Sequence, residues 1–247
     1  MTDQPDWFAL VQDRYRVERE IGHGGMAQVY LAEELQHHRP VAIKILLEDL
    51  AYAIGHDRFL REVDVAAQLG HPNILPLLDS GTVPASGTHP ARPYFVMPFV
   101  EGESLKQRMA RDPMSLREVL DVVRPVAAAL DHAHAHGIVH RDVKPANILL
   151  TGGTAVVADF GIARALNRSV VETTLTETGL IIGTPAYMSP EQGGTGETVD
   201  IRTDIYALGC VVYEMLAGGP PFIADNALAV LARHRLDPPP PLDEARP

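Results

Sequence analysis

The stretch His140-Arg141-Asp142-Val143-Lys144-Pro145-Ala146-Asn147, followed shortly by Asp159-Phe160-Gly161, sets the strongest constraint on how this chain folds. The first segment combines a carboxylate, an ammonium group and an amide, and the second adds a carboxylate before a glycine that lets the backbone turn. Phosphoryl transfer needs such a set: a carboxylate facing an alcohol, oxygen ligands for Mg²⁺ on two elements, and a cation near the transferred group. We therefore expect a fold that brings both segments to one cleft.

Two features nearer the N-terminus suggest a phosphate-binding site. Gly22, Gly24 and Gly25 lie between two strand-like segments, and glycines let backbone N–H groups approach phosphate oxygens. An ordinary hairpin loop is the alternative. Lys44 lies inside an apolar strand-like run, where a cation is costly without an anionic partner. Either a phosphate supplies that partner, or Lys44 reaches water from the edge of the sheet.

Taken together, these segments resemble the protein kinases. The Lys144-Pro145 pair after Asp142 resembles their serine/threonine branch, and the match is with bacterial eukaryotic-like (Hanks-type) kinases. The resemblance implies an α+β, bilobal fold, with a small β-rich N-lobe carrying one main helix and a larger, mainly α-helical C-lobe. The implied divisions are a leader at 1–14, an N-lobe at 15–98 and a C-lobe at 99–247, from which the family's last helices are missing.

The resemblance also implies which residues carry the chemistry. Asp142 orients the acceptor hydroxyl and takes its proton, and Lys144 offsets the charge that grows on the transferred group. Asn147 and Asp159 bind Mg²⁺ through oxygen, with Mn²⁺ as an alternative. His140 is implied to pack the loop rather than to act as an acid or base.

The implied ATP site draws on the strands and on the segment between the lobes. Lys44 contacts the phosphates and pairs with Glu62 on the following helix, Met97 is the gatekeeper, and the Pro98 carbonyl accepts from the base. For each apolar member, ordinary core packing is the alternative. The full set is Ile21, Gly22, Gly24, Gly25, Val29, Ala42, Lys44, Met97, Pro98, Val100 and Leu149.

A threonine-rich segment follows Gly161 and suggests regulation. We expect Thr176 and Thr178 to be autophosphorylated, in a transient dimer, and to dock on Arg141, since an arginine pairs well with a phosphate. A solvated polar loop is the alternative. Thr184 is expected to contact Asp142 and Lys144 and so to favour serine or threonine acceptors.

The composition limits which binding partners and which cellular compartment we expect. The 247 residues carry a formal net charge of −11, and an acidic surface repels phosphate backbones, so we expect protein substrates and no nucleic acid. No apolar run is long enough to cross a bilayer. Cys210 is the single cysteine, which excludes an internal disulfide and favours a reducing cytoplasm.

Hydrophobic periodicity predicts strands first and helices second. The predicted strands are 15–21, 29–32, 41–46, 74–78 and 94–100, with a later hairpin at 148–150 and 155–158. The predicted helices are 57–69, 104–110, 115–136, 204–217 and 226–235. His132, His134 and His136 alternate in direction on a helix and cannot converge on a metal, so a solvated helix end is expected.

The chain ends in a proline-rich segment soon after the last predicted helix. The family's later helices supply an arginine that pairs with the residue equivalent to Glu191, and Arg233 and Arg235 are candidate replacements. We expect exposed apolar surface on the large lobe, and with it low stability and a tendency to aggregate.

Three interpretations of function remain at this point. The first is an ATP- and Mg²⁺-dependent serine/threonine protein kinase. The second is an ATP-binding but inactive interaction module, against which the retention of Lys44, Asp142, Asn147 and Asp159 argues. The third, a kinase of small metabolites, is disfavoured by the long segment between Gly161 and Ser189-Pro190-Glu191.

Overall fold

The computed structural model describes residues 7–48, 67–85, 90–160, 184–193 and 198–245, and the chain forms two compact units. Among these residues, the N-terminal unit comprises 7–48, 67–68, 76–85 and 90–99. The C-terminal unit comprises 69–75, 100–160, 184–193 and 198–245.

An antiparallel five-stranded sheet in the order β1-β2-β3-β5-β4 forms the N-terminal unit. Its strands are β1 (Tyr15–His23), β2 (Ala27–Glu34), β3 (Arg39–Leu46), β4 (Asp79–Val83) and β5 (Arg92–Pro98). Four of the predicted strands are confirmed at these positions. The strand predicted at 74–78 is wrong: Leu75 donates its N–H to the carbonyl of Val157 in the C-terminal unit, and the fourth strand starts only at Asp79.

Alternate residues of the central strand β3 fill the core of this unit. Val41, Ile43 and Ile45 are fully buried there, as period-two packing on a sheet requires. A short helix, α1 (Phe8–Val11), precedes the sheet, and Trp7 is buried against Tyr30, with ring centroids 5.1 Å apart. Part of the segment predicted as a leader therefore packs against the sheet.

Helices dominate the C-terminal unit, which confirms the predicted change from strands to helices. Its elements are β6 (Glu103–Ser104), α2 (Leu105–Met109), α3 (Leu116–Ala135), β7 (Ile148–Thr151), β8 (Thr154–Val157), α4 (Ile201–Ala217), α5 (Ala227–Leu236) and α6 (Leu242–Ala245). Strands β6, β7 and β8 form a small antiparallel sheet, of which only the β7–β8 hairpin was predicted. The helix predicted at 57–69 lies almost wholly outside the described residues.

Capping and an apolar face explain the long helix α3. Ser115 and Glu118 form the predicted capping box at its N-terminus, which satisfies backbone donors that the first turn leaves open. Pro125 lies inside the helix, yet the helix continues to Ala135, since residues such as Val126 and Leu130 bury one face in the core. In the described parts of the chain, none of the helices has the length and apolarity that crossing a membrane would require.

Candidate active site

Three side chains of one loop meet in the C-terminal unit, between α3 and β7. The Nζ atom of Lys144 lies 2.7 Å from Oδ2 of Asp142. The amide nitrogen of Asn147 donates to the same Oδ2 at 3.1 Å and to the Asp142 carbonyl at 3.0 Å. A cation and an amide thus hold the Asp142 carboxylate in one orientation, and all three groups were predicted from the sequence.

Asp204 on α4 anchors the same loop. The sequence analysis did not identify this residue. Its carboxylate is fully buried and accepts the backbone N–H groups of His140 and Arg141 at 2.8 and 2.7 Å. It also lies 2.7 Å from Nε2 of His134. The predicted solvated end of the histidine run is therefore wrong for His134. An acid at the start of a strongly apolar helix was the available signal.

His140 is occupied at both ring nitrogens. Its Nδ1 atom accepts the N–H of Asp142 at 3.2 Å, and its Nε2 atom lies 2.9 Å from the carbonyl of Ala158. Since a carbonyl can only accept, the proton is assigned to Nε2. The ring also packs edge-on against Phe160, with centroids 4.6 Å apart. A ring so engaged packs the loop and does not exchange protons with a substrate, in agreement with the sequence analysis.

Asn147 and Asp159 suit a divalent cation. The backbone joins them, because Ala158, the neighbour of Asp159, donates its N–H to the Asn147 carbonyl at 2.8 Å. The amide nitrogen of Asn147 faces Asp142, so the amide oxygen points away from that carboxylate. Asp159 has a φ of 68°, a left-handed conformation that is uncommon without glycine and often occurs at functional sites. An amide oxygen and a carboxylate are ligands that Mg²⁺ accepts.

A second group of predicted residues shares one face of the sheet in the N-terminal unit. In the strand register, Val29 is opposite Lys44, and Ala42 is opposite Met97. Ala42 and Lys44 are two residues apart on β3, so these four side chains project from the same face. Because β3 is paired on both sides, Lys44 does not lie at a sheet edge. Its Nζ atom lies 5.7 Å from the ring centroid of Phe95.

The predicted glycine loop is the turn between β1 and β2. Gly24 and Gly25 are exposed, and a Cβ atom added to Gly25 would meet nothing within 4 Å. The packing of the protein itself therefore does not require glycine at position 25, whereas close approach of a phosphate would. Gly22 is opposite Val29 in the register, and Ile21 beside it is half-buried.

The remaining predicted residues are distributed as follows. Pro98 ends β5 in the N-terminal unit, whereas Val100 and Leu149 are half-buried residues of the C-terminal unit. Thr184 is exposed, and within the described ranges its side chain makes no hydrogen bond to Asp142 or Lys144. Glu62, Thr176 and Thr178 lie outside the described residues.

The segment 184–193 is bound to the loop and to α4 by side chains that the sequence did not reveal. The Gln192 amide donates to the Arg141 carbonyl at 2.8 Å, and the Tyr187 hydroxyl donates to Glu214 at 2.5 Å. Burial raises the pKa of Glu214, and the hydrogen bond from Tyr187 opposes that effect. Glu191 accepts a hydrogen bond from Thr203.

The expected substitute partner for Glu191 is not Arg233. That guanidinium binds Asp237 at 2.8 Å and the Ile223 carbonyl at 2.7 Å. The described residues also include no cluster of three or more histidine, cysteine or acidic side chains that would hold a metal ion by themselves.

Comparisons with known proteins are consistent with the geometry. The profile of the protein kinase domain family matches residues 15–237. Serine/threonine-protein kinase PknB of Mycolicibacterium smegmatis is 46% identical over 235 residues, and the probable serine/threonine-protein kinase PknB of Bifidobacterium longum is 44% identical over 232 residues. The matched regions are 94% and 92% of this chain but 37% and 33% of those proteins, so the chain spans about a third of their length.

The fold is similar to that of solved kinase domains. The crystal structure of the Mycobacterium tuberculosis PknI kinase domain superimposes with a TM-score of 0.70 at 33% sequence identity. The match covers 94% of this chain and 81% of the PknI chain. The predicted architecture, with a β-rich N-lobe and a helical C-lobe, is confirmed by this similarity.

Proposed function

Because this chain belongs to the protein kinase family, we propose that it transfers the γ-phosphoryl group of ATP to serine and threonine hydroxyls of proteins. One observation carries the proposal: Lys144 Nζ and the Asn147 amide both hold the Asp142 carboxylate, at 2.7 and 3.1 Å. A carboxylate fixed in this way can orient a hydroxyl and accept its proton, a contribution typically of ~10²–10⁴-fold.

Three residues of the loop and Asp159 have different roles in the proposed reaction. Asp142 faces the acceptor hydroxyl, and Lys144 supplies a positive charge beside it that offsets charge on the transferred group. Asn147 and Asp159 would hold Mg²⁺, with Mn²⁺ as an alternative. When bound, the Mg²⁺–ATP complex supplies the phosphoryl group with part of its charge neutralised.

In the N-terminal unit, the shared sheet face supports the assignment of the nucleotide site. Val29, Ala42 and Met97 offer an apolar surface to a base, and Lys44 on the same face offers a cation to phosphates. Pairing of Lys44 with Glu62 and capture of ATP beneath Gly24 and Gly25 belong to the same proposal.

Regulation by autophosphorylation completes the proposal. Arg141 is half-buried and has a left-handed φ of 67°, and a guanidinium pairs well with a phosphate. We assign Arg141 the role of binding a phosphate on Thr176 or Thr178. One molecule of a transient dimer would transfer that phosphate to the other.

We place the activity in the cytoplasm, where ATP and Mg²⁺ are available and Cys210 is expected to stay reduced.

Transfer of radiolabel from Mg²⁺–ATP to a basic acceptor such as myelin basic protein tests the function. The wild-type chain is expected to label the acceptor, and Asp142→Asn is expected to reduce labelling by at least ~10²-fold. Asp131→Asn, at an exposed position of α3, is the matched control and should retain activity. Equal labelling by wild type and Asp142→Asn would reject the proposal and favour an ATP-binding module without catalysis.

A further inference from the structure

Three histidine rings from two separate segments stack in the C-terminal unit, and the proposed mechanism uses none of them. His132 and His136 are one turn apart on α3, with ring centroids 4.5 Å apart. His71, from the segment 69–75, lies beside His132 with centroids 5.1 Å apart and the ring planes tilted by 32°. We call these three side chains the histidine stack. It joins the segment 69–75 to α3.

Hydrogen bonds determine which nitrogen carries the proton in two of these rings. The Nδ1 atom of His71 accepts the backbone N–H of Asn73 at 3.1 Å, so the proton of the neutral ring is assigned to Nε2. The Nδ1 atom of His136 lies 2.8 Å from the carbonyl of His132, and a carbonyl can only accept. His71 therefore fits its surroundings only as a neutral ring, because a second proton on Nδ1 would point at the N–H of Asn73.

Asn73 connects His71 to the edge of β8. Its side-chain amide donates to the carbonyl of Ala155 at 2.9 Å. Its own carbonyl accepts the N–H of Val157, and the Val157 carbonyl accepts the N–H of Leu75, each at 2.8 Å. The turn that begins at His71 thus aligns this segment with the strand that leads to the proposed catalytic residues.

The neighbours of His71 also oppose its protonation. In the part of the chain that the structure describes, His132 is the titratable group that faces His71 from α3, and His136 faces His132 in turn. The partners that β8 supplies to Asn73, Thr154 and Ala155, are uncharged. Two cations at the spacing of these rings repel each other, so each protonation in the stack makes the next one harder.

The direction of the pH effect follows from these contacts. Burial, and then the neighbouring His132, hold the pKa of His71 below its usual value of 6.5. The folded state therefore prefers the neutral ring, and the stabilisation that His71 provides is complete above pH 6.5 and is lost as the pH falls below it.

We propose that the histidine stack is a pH-sensitive contact, which holds the segment from His71 to Leu75 against β8 at neutral pH and weakens that attachment in mildly acidic solution. Protonation removes the acceptor of the Asn73 N–H and places like charges side by side, so both effects act in the same direction. This inference does not depend on the proposed kinase function. A metal centre is not the alternative, because the described histidines include no set of three with the geometry to hold an ion.

Hydrogen exchange of the whole chain, measured at pH 7.5 and pH 5.5 and corrected for intrinsic exchange at each pH, tests this contact. The informative amides are those of Asn73, Leu75 and Val157, which bond within the attachment. Their protection should fall roughly 2- to 10-fold at the lower pH, as expected for the loss of one hydrogen bond. The amide of Leu130, in the buried face of α3, is the internal reference and should keep its protection.

Variants of the two facing histidines separate the two causes. His71→Asn keeps a side-chain oxygen that can accept the N–H two residues further on, but it does not titrate, so the protection of these amides should not depend on pH. His71→Phe keeps a ring without an acceptor and should lower the protection at both pH values. His132→Gln removes the facing charge, so the fall in protection should shrink without vanishing.

His37→Asn provides the matched control. His37 is an exposed histidine of the N-terminal unit that contacts Glu34, and its replacement should leave the wild-type fall unchanged.

The outcomes decide the inference on their own. A fall in protection confined to the attachment, abolished in His71→Asn and reduced in His132→Gln, supports it. Equal protection of the wild-type amides at the two pH values overturns it, as does an equal fall in His71→Asn or an equal fall at Leu130. None of these results depends on phosphoryl transfer, so failure of the proposed function would be recognised separately, in the radiolabel assay.

Discussion

Asp204 shows how one side chain sets the conformation of a whole loop. Arg141 has a left-handed φ of 67°, which a non-glycine residue adopts only when its surroundings hold it there. The Asp204 carboxylate provides that constraint, since it accepts the N–H groups of both His140 and Arg141. The direction in which Asp142 faces therefore depends on a residue of α4 that has no part in the proposed chemistry.

Replacement of Asp204 should consequently be costly. Asp204→Ala leaves the backbone N–H groups of His140 and Arg141 without their acceptor, and at about 1–3 kcal/mol for each we expect the free energy of unfolding to fall by roughly 2–6 kcal/mol. Urea denaturation followed by circular dichroism measures this loss. Asp131→Ala, an exposed acid on α3, should change stability by less than about 0.5 kcal/mol. Equal stability of the two variants would contradict the anchoring role.

The sequence predicted the local part of the site and missed the long-range part, for a physical reason. Asp142, Lys144 and Asn147 are at most five residues apart, so their spacing alone constrains where their side chains meet. The bond from His140 to Asp204 spans 64 positions, and that from His134 spans 70. Only the packing of α3 against α4 brings them together, and no single-sequence pattern encodes that packing.

At the scale of elements, the N-terminus of α3 couples helix formation to pH. The Ser115 N–H donates to the Glu118 carboxylate at 2.8 Å, while the Glu118 N–H donates to the Ser115 hydroxyl. The backbone hydrogen bond from Ser115, then the Ser115 hydroxyl and then Arg108 lower the pKa of Glu118 to about 2. The ionised form is thus the one that the folded helix binds.

The sign of the pH effect follows from this shift. A group whose folded pKa is below its usual value of 4.5 stabilises the protein above that pH, and the stabilisation is lost as the pH falls towards 2. Glu118→Gln should therefore be less stable than wild type at pH 7, and the difference should shrink as the pH falls below about 4.5.

Thermal unfolding at a series of pH values measures this difference. Glu103→Gln is a suitable control, because Glu103 forms a surface ion pair with Arg111 and caps no helix. A difference between wild type and Glu118→Gln that stays constant down to pH 3 would show that the cap does not depend on the charge. Ser115→Ala should cost about 1 kcal/mol at neutral pH.

The elements that were predicted correctly have patterns that need no distant partner. The apolar run from Val41 to Leu46 predicts a buried strand, and the capping residues at the start of α3 predict a helix, without any information on distant residues. The strand predicted at 74–78 failed because Ile74 and Leu75 are apolar for another reason: Ile74 is buried in the core of the C-terminal unit and bridges to Val157. Apolar residues predict that a segment is buried, but they do not predict which part of the protein buries it.

At the scale of the whole molecule, each unit contains its own core. Trp7, the single tryptophan, is buried with Tyr15 and Ile43 in the N-terminal unit, whereas Val126 and Val211 belong to the core of the C-terminal unit. The sequence indicated this division through its change from strands to helices. It did not reveal that residues 69–75 leave the first unit for the second.

Apolar surface on α4 is the whole-molecule property that the sequence analysis anticipated. Ile201 and Ile205 are 47% and 58% exposed, and residues four apart lie on the same side of a helix. The opposite side of α4 is buried through Ala207, Val211 and Met215. Contiguous exposed apolar side chains promote association between molecules, so this face is expected to govern how the chain behaves at high concentration.

Substitution on the two sides of α4 separates solubility from stability. Ile205→Glu removes apolar surface that folding does not bury, so light scattering at a given concentration should fall while the free energy of unfolding changes by less than about 0.5 kcal/mol. Val211→Glu, on the same helix at a fully buried position, should destabilise the fold by several kcal/mol, because it places an unpaired carboxylate in the core. If Ile205→Glu instead destabilised the chain as strongly as Val211→Glu and left scattering unchanged, the exposed face of α4 would have to be a packed part of the folded molecule. The two variants differ only in which side of one helix they alter, so the comparison isolates that surface.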